Sequence, residues 1–280
     1  MTVTMVRSSL ARLACDLGGP AGDPRPPVLL LHPGVGDLRC WHRIAAEVAG
    51  THRPISFDRR GYGSTTCEPE AFSHVDDAVA VLDAAGAGPA AVVVGNSMGG
   101  RVAVELALAH PDRVAGLVLI APSVRGARYD EPLSAAVKRL EDAIDAAEEA
   151  GDLDQVNKLE AWLWLDGPDQ PEGRVGGGAR ALFLDMNGTA LAAPDPGPEI
   201  EAEAGGTPAW DRLDQIGVPA LVTVGELDLP DVRQRTEETA RRLAGSRFVV
   251  LPGVAHLPQV EGSEVLTREL RSFLGEVAPG

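Results

Sequence analysis

The chain has 280 residues, 44% hydrophobic and 24% charged, which are ordinary values for a globular protein and exclude a chain dominated by disorder. Its apolar runs, Ala90–Gly95 and Gly116–Pro122 among them, fall well short of the roughly 18 residues needed to span a bilayer. With 25 basic and 41 acidic side chains the net charge is −16, which repels phosphate backbones and anionic lipid and argues against nucleic-acid and membrane partners.

The first five residues, Met1 to Met5, show no basic stretch followed by an apolar one, so no secretory signal is expected. Ser9–Asp16 reads as an early, antiparallel strand. Val28–Leu31 is a short, continuous apolar run, the mark of a strand buried on both faces. A helical stretch at Trp41–Ala49 follows, then a strand at Pro54–Phe57 and a helix at Val75–Ala85. Ala91–Val94 leads directly into a helix at Met98–Ala109, and Gly116–Ile120 is the next buried strand. From Pro122 to about Trp210 the strand signal stops, and helical patterns occupy Ser134–Ala150, Asp152–Leu163 and Val175–Asn187. A stretch rich in Pro and Gly, including Pro194, Pro196, Gly197, Pro198 and Pro208, closes this insertion. The alternation then resumes with strands at Ala220–Val224 and Arg247–Leu251 and helices at Asp231–Leu243 and Ser263–Leu274. Such βαβα order predicts an α/β fold with a mostly parallel, doubly wound sheet covered by helices on both faces. The expected division is a core of residues 1–122 and 211–280 with a helical insertion at 123–210.

Three cysteines, Cys15, Cys40 and Cys67, form no C-x-x-C pair and leave at least one thiol unpaired, which suits a reducing cytoplasm. No G-x-x-x-x-G-K-[ST] loop, H-E-x-x-H pair or paired-cysteine motif occurs, so neither a metal nor a cofactor is expected. The strongest chemical signal is Gly95-Asn96-Ser97-Met98-Gly99-Gly100. A G-x-S-x-G motif between a buried strand and an amphipathic helix puts the serine on a sharp turn with its Oγ above the sheet. The backbone N–H of Met98, at the helix start, suits a developing oxyanion.

This chain resembles an α/β-hydrolase, a lidded serine hydrolase of the esterase or carbon–carbon hydrolase branch, along nearly its whole length from Ser9 to Leu274. Serine needs an adjacent base and the base an orienting acid, and the family order is Ser, acid, His. His256, in the loop after the last predicted strand, fills the place of the base. Asp228, in Gly225-Glu226-Leu227-Asp228, matches the acid, with Glu226 its rival; the alternative acid position reads Ala121-Pro122-Ser123 and holds no carboxylate. Leu31-His32-Pro33-Gly34-Val35-Gly36 resembles the family's His-Gly loop, so Gly34 is the second oxyanion donor and Val35 the next candidate, although Pro33 stands where relatives carry glycine. His32 orders this loop. Asp58-Arg59-Arg60-Gly61-Tyr62-Gly63-Ser64 resembles a structural turn of the family, with Asp58 and Arg60 pinning loops beneath the site.

By the same resemblance the insertion is a cap over the nucleophile, and Val35, Trp162, Trp164, Phe183 and Met186 are candidates to line an apolar substrate pocket. The implied activity is hydrolysis of a carboxylic ester or lactone of a small to medium apolar molecule through an acyl-enzyme. A carbon–carbon bond hydrolase, an acyltransferase or cyclase, a cofactor-free haloperoxidase, and a non-catalytic receptor for a small molecule would use the same scaffold.

Overall fold

The computed structural model describes residues 3–128, 133–200 and 206–278. Two antiparallel strands open the chain, β1 (Val3–Ser8) and β2 (Ala11–Asp16). Then come β3 (Pro27–Leu31), α1 (His42–Val48), β4 (Arg53–Phe57), the two-residue β5 (Thr66–Cys67), α2 (His74–Ala85), β6 (Ala91–Asn96), α3 (Met98–Ala109) and β7 (Val114–Ile120). Three helices follow, α4 (Ala135–Glu149), α5 (Leu153–Glu160) and α6 (Gly177–Leu191), before β8 (Ala220–Gly225), α7 (Pro230–Arg242), β9 (Arg247–Leu251), α8 (Pro258–Glu261) and α9 (Glu264–Val277).

The strands form one sheet in the order β1-β2-β4-β3-β6-β7-β8-β9, parallel from β4 to β9, with β5 paired to β2. Successive residues of β3 serve opposite faces. Leu29 and Leu31 pack with Val75, Val81 and Leu82 of α2 and Val102 of α3. Val28 and Leu30 pack with Ile44 and Val48 of α1 and Leu270 and Phe273 of α9. Helices on both faces therefore explain why the central strands read as unbroken apolar runs. The chain leaves β3 for β4 on one side and returns as β6 on the other. The crevice beyond the C-terminal ends of β3 and β6 is thus the switch point at which such sheets bind ligands.

β1 escaped the sequence reading because only Val6 on it is buried; an edge strand with one inward residue carries no apolar signal. Ser9 turns the hairpin with a positive φ of 50°. In the insertion, α5 does not continue as an α-helix to Leu163. It passes at Glu160 into a π-helical turn, Ala161–Asp166, closed by the Gly167 N–H on the Trp162 carbonyl. Such turns frequently mark functional sites.

The insertion is seated by packing and by charge. Val137, Leu140 and Leu163 join Val224, Leu229 and Val232 of the sheet domain, and Ala161, Leu165 and Phe183 close over Leu257. Arg174 donates to the carbonyls of Leu165, Asp166 and Gly253 and pairs with Glu261 at 2.5 Å. Glu261 also accepts from the Ala255 N–H at 2.7 Å, so it fastens the insertion to the loop that carries His256. Among the described residues no helix is long and apolar enough to cross a membrane.

Burial pushes the Glu261 carboxyl up to about 7, against the charge of Arg174. A raised acid binds its proton more readily in the folded state, so its contribution falls as pH rises from the unfolded value through 7. The thermal midpoint of the wild type should therefore drop more steeply between pH 5 and pH 8 than that of Glu261→Gln. Melting curves across that range check this; parallel curves would contradict it.

Candidate active site

Ser97 lies between β6 and α3 with φ 52° and ψ −116°, a conformation that costs a non-glycine residue on the order of 1–3 kcal/mol. The surroundings impose it. Ser97 N–H donates to the Ile120 carbonyl at 2.9 Å, and the Ser97 carbonyl accepts from Ser123 and Arg101. The helix can approach β3 this closely because position 99 is glycine: a Cβ there would fall 2.1 Å from the Leu31 carbonyl oxygen. Ser97 is half-buried, and its hydroxyl makes no hydrogen bond among the described residues.

The acid and base come together beyond β8 and β9. His256 Nδ1–H donates to Asp228 Oδ2 at 2.8 Å, and both side chains are almost wholly buried. Asp228 Oδ1 accepts from the Leu229 N–H at 2.8 Å, which fixes the carboxylate plane. A carboxylate held to Nδ1 sets the imidazole tautomer and leaves Nε2 as the basic nitrogen. Glycine is required at 225 as well, since a Cβ would lie 2.1 Å from the Ala255 carbonyl oxygen. The rival Glu226 accepts from the Gly253 N–H at 2.9 Å instead of meeting His256. Asp231 sits in the first turn of α7, its carboxyl raised by burial and by its neighbour Asp228.

The contacts that Asn96 and Trp164 make with His256 were invisible in the sequence. Asn96, fully buried, donates to the carbonyls of Ile120 at 3.0 Å and His256 at 3.2 Å, and Gln259 donates to its Oδ1 at 2.9 Å. The π-helical turn brings the Trp164 carbonyl within 3.2 Å of the His256 N–H and its ring to 4.8 Å from the imidazole. No local pattern announces either contact, because both join segments far apart in the chain.

In the loop after β3, His32 accepts the Arg59 N–H at Nε2 (3.0 Å) and therefore donates from Nδ1 to the Pro33 carbonyl at 2.8 Å. Burial and the Arg59 charge hold this imidazole well below its ordinary pKa. Arg59 is fully buried, and Nη2 donates to the carbonyls of His32 and Pro33, both at 3.1 Å. Its other neighbours are the Tyr62 ring, 4.7 Å from the guanidinium carbon, and the Met98 thioether, while Nε has no partner. A cation buried without a carboxylate in contact is expensive, and this one lies behind the loop bearing Gly34. The backbone N–H groups of Gly34, Val35 and Met98 have no acceptor among the described residues. Arg60, by contrast, is held by Asp77 and Glu70, and Asp58 accepts from the N–H groups of Leu38 and Ser64, so these two pin loops.

A cleft of about 420 Å³ adjoins Gly34, Val35 and Met98. Its far wall is α6 and the strap Pro194–Glu199, which is laced to the core by Glu70 and Phe72 N–H groups on the Pro196 and Pro198 carbonyls. Glu199 adds ion pairs to Arg101 of α3 at 2.9 Å and Arg125 at 3.1 Å. A wider depression of about 620 Å³, bounded by Trp210, Arg235 and Arg242, holds none of the candidate residues. Of the residues expected to line a pocket, Val35 does line the cleft and Trp164 stacks on His256. Phe183 and Met186 do not; both are core residues that seat α6. Trp162 also faces away, its indole N–H on the Gln170 carbonyl. The lining of the cleft is mixed, with Val35, Phe72, Met98 and Leu191 beside Tyr62, His74 and Glu160. An insertion this small spends its large apolar side chains on its own seating.

Known proteins agree with this architecture. Residues 28–268 match the alpha/beta hydrolase family. A lipase, LipV, of Mycobacterium tuberculosis is 38% identical over 155 residues, covering 54% of this chain and 56% of that protein, so the alignment spans little more than half of that relative. The pimeloyl-[acyl-carrier protein] methyl ester esterase of Neisseria meningitidis serogroup A is 29% identical over 252 residues, 88% of this chain and 76% of that one. The fold of a thermophilic esterase from Thermogutta terrifontis superposes with a TM-score of 0.75 at 24% identity, covering 99% of both chains. With the family match running across most of its length and the sheet, elbow and loops in the corresponding order, the chain belongs to the α/β-hydrolase family of enzymes.

Proposed function

We propose that this enzyme is a serine hydrolase that cleaves a carboxylic ester or lactone through an acyl-enzyme, with residues 123–210 as its cap. The observation that carries the reading is the buried 2.8 Å contact of His256 with Asp228, on a loop tied at the His256 carbonyl to Asn96, the residue before a serine in a strained strand-to-helix turn. The names of the lipase and methyl ester esterase relatives support ester cleavage.

In this reading His256 Nε2 takes the Ser97 proton as Oγ attacks the carbonyl carbon. The charge that forms on the carbonyl oxygen is met by the N–H groups of Met98 and Gly34, which are preorganised and lack competing acceptors. One such donor is worth about 2.7–4 kcal/mol in the transition state. His256, now protonated and held by Asp228, returns the proton to the leaving oxygen. It then activates water against the acyl-enzyme by the same path in reverse. The Asp228 carboxylate stabilises the imidazolium without taking its proton. The register of the oxyanion loop comes from Arg59: where proline replaces a flexible residue at 33, two carbonyls of that loop are gripped by one guanidinium.

Intact-mass spectrometry after treatment with a small fluorophosphonate tests the nucleophile. One adduct is expected, mapping to Ser97, absent in Ser97→Ala and formed far more slowly in His256→Ala. Labelling elsewhere, or undiminished turnover of aryl esters by Ser97→Ala, would overturn the reading. Ring-fission dienones assayed alongside esters and lactones separate carbon–carbon from ester cleavage. Arg59→Met should lower kcat about tenfold or more with KM little changed, because the loop loses its grip on the transition-state donor rather than on bound ester. Steady-state kinetics check this, with a melting curve to confirm folding.

A further inference from the structure

His74 is the first residue of α2 and lines the cleft, yet it is only 5% exposed. Its ring packs edge-on against Phe72, centroids 5.0 Å apart. Nδ1 is sealed from solvent and has no hydrogen-bond partner. Nε2 is not sealed, makes no hydrogen bond to a described residue, and is the ring nitrogen left to face the cleft. Burial and the nearby charges of Arg59, Arg101 and Arg60 keep the imidazole neutral, well below its ordinary pKa. A neutral ring carries one proton. A buried N–H without an acceptor is rarer and costlier than a buried lone pair without a donor, so the proton belongs on Nε2. The cleft therefore has an unused N–H donor in its wall. A second donor belongs to the same lining: the Tyr62 hydroxyl, which donates to the Met98 sulfur at 3.9 Å, beside Gly34.

Two donors call for an acceptor, and the other wall decides its charge. Glu160 lies there, its carboxyl raised by burial and accepting from the Asn187 amide at 2.6 Å; Asp195 also lines the cleft, and Glu199 is taken up by Arg101 and Arg125. Arg60, the arginine in the lining, is already taken by Asp77 and Glu70. A substrate carboxylate would meet no unpaired cation among the described residues of the lining, whereas an uncharged oxygen needs only a donor.

We propose that this cleft is a subsite for an uncharged oxygen acceptor of the substrate, a second carbonyl beyond the scissile ester, held by the Nε2–H of His74 and the hydroxyl of Tyr62. It rests on Ser97 as the nucleophile only in placing the scissile bond next to Met98 and Gly34. The enzyme then prefers oxo-esters or diesters to plain alkyl esters of the same shape. An isostere lacking the oxygen leaves the buried donor unpaired, and that selectivity is what such a site provides.

The test pairs ethyl levulinate with ethyl 4-methylidenepentanoate, in which a methylene replaces the ketone oxygen, and adds monomethyl succinate as the anionic arm. In Ser97→Ala protein labelled with 15N-histidine, and assigned by loss of the signal in His74→Phe, His74 should be the Nε2–H tautomer at pH 7. Ethyl levulinate should shift that resonance and the methylidene ester should not. In turnover by the wild type, kcat/KM should favour levulinate over its isostere by about tenfold. That ratio should collapse toward one in His74→Phe and return in part in His74→Gln, which keeps a donor. An Nδ1–H tautomer, an equal response to both esters, an unchanged ratio in His74→Phe, or a preference for monomethyl succinate would each overturn the proposal. The spectroscopic arm needs no turnover, so a failure of Ser97 as nucleophile shows separately, as activity retained in Ser97→Ala.

Discussion

The side-chain amide of Asn96 holds together the loops at the C-terminal end of the sheet. It sits one residue before Ser97, and its donors reach the end of β7 through the Ile120 carbonyl and the histidine loop through the His256 carbonyl. Gln259, at the start of α8, completes it from the far side. Elbow, neighbouring strand and histidine loop are thereby tied to one rigid planar group inside the protein. In a low-dielectric interior such a network is worth most when every member is satisfied, and removal of one partner strands the others. Strain at Ser97 persists because this frame and the backbone hydrogen bonds from Ser97 to Ile120 and Ser123 determine its conformation from several directions.

Burial of charge follows a consistent division around this frame. Arg60 and Asp77 meet in the interior with good geometry and serve as a structural pair. Arg59, the next residue along, has carbonyls, a tyrosine face and a thioether instead. The desolvation of an unmatched guanidinium is offset only partly by such neutral partners. What the fold obtains is a fixed positive charge behind a loop whose Gly34 and Val35 N–H groups have no acceptor among the described residues. A carboxylate placed against Arg59 would stabilise the fold and cancel that field. The absence of an ion pair at 59 is in this sense the feature that separates two adjacent arginines.

Much of the architecture was legible because burial on both faces leaves a direct mark on sequence. Val28–Leu31, Ala91–Val94 and Ala220–Val224 could hardly be anything but interior strands, and their order required crossover helices. Ser97, Asp228 and His256 stood out as candidates for a different reason: each follows the end of a parallel strand, at a position that the resemblance marks, and the structure brings Asp228 and His256 into contact. Strand β1 was not legible, since an edge strand with one inward side chain lacks any periodic signal. Nor was the use of Arg59, which depends on a loop 26 residues earlier in the chain. The π-helical turn at Ala161–Asp166 arises from tertiary packing, and helical propensity alone reads straight through it.

The insertion shows why composition misleads about a pocket. Its large apolar residues, Leu163, Leu165, Phe183 and Met186, are the ones able to hold three short helices on a sheet domain, and they are consumed by that work. The insertion residues that face the cleft include Glu160, Asn187, Ala190 and Leu191, opposed by Tyr62, Phe72 and His74 of the core. The wall is therefore mixed, apolar groups set among a few polar ones. Where such a wall holds an unpaired donor, selectivity depends on the hydrogen-bond acceptors of a ligand as well as on its size. A hydrophobic pocket discriminates a methylene by a modest factor, while an unpaired donor held in a dry wall discriminates against every ligand that fails to meet it. The strap, laced to the core through Phe72, is anchored by Glu199 on Arg101 of α3, so the far wall of the cleft is tied to the helix that follows Ser97.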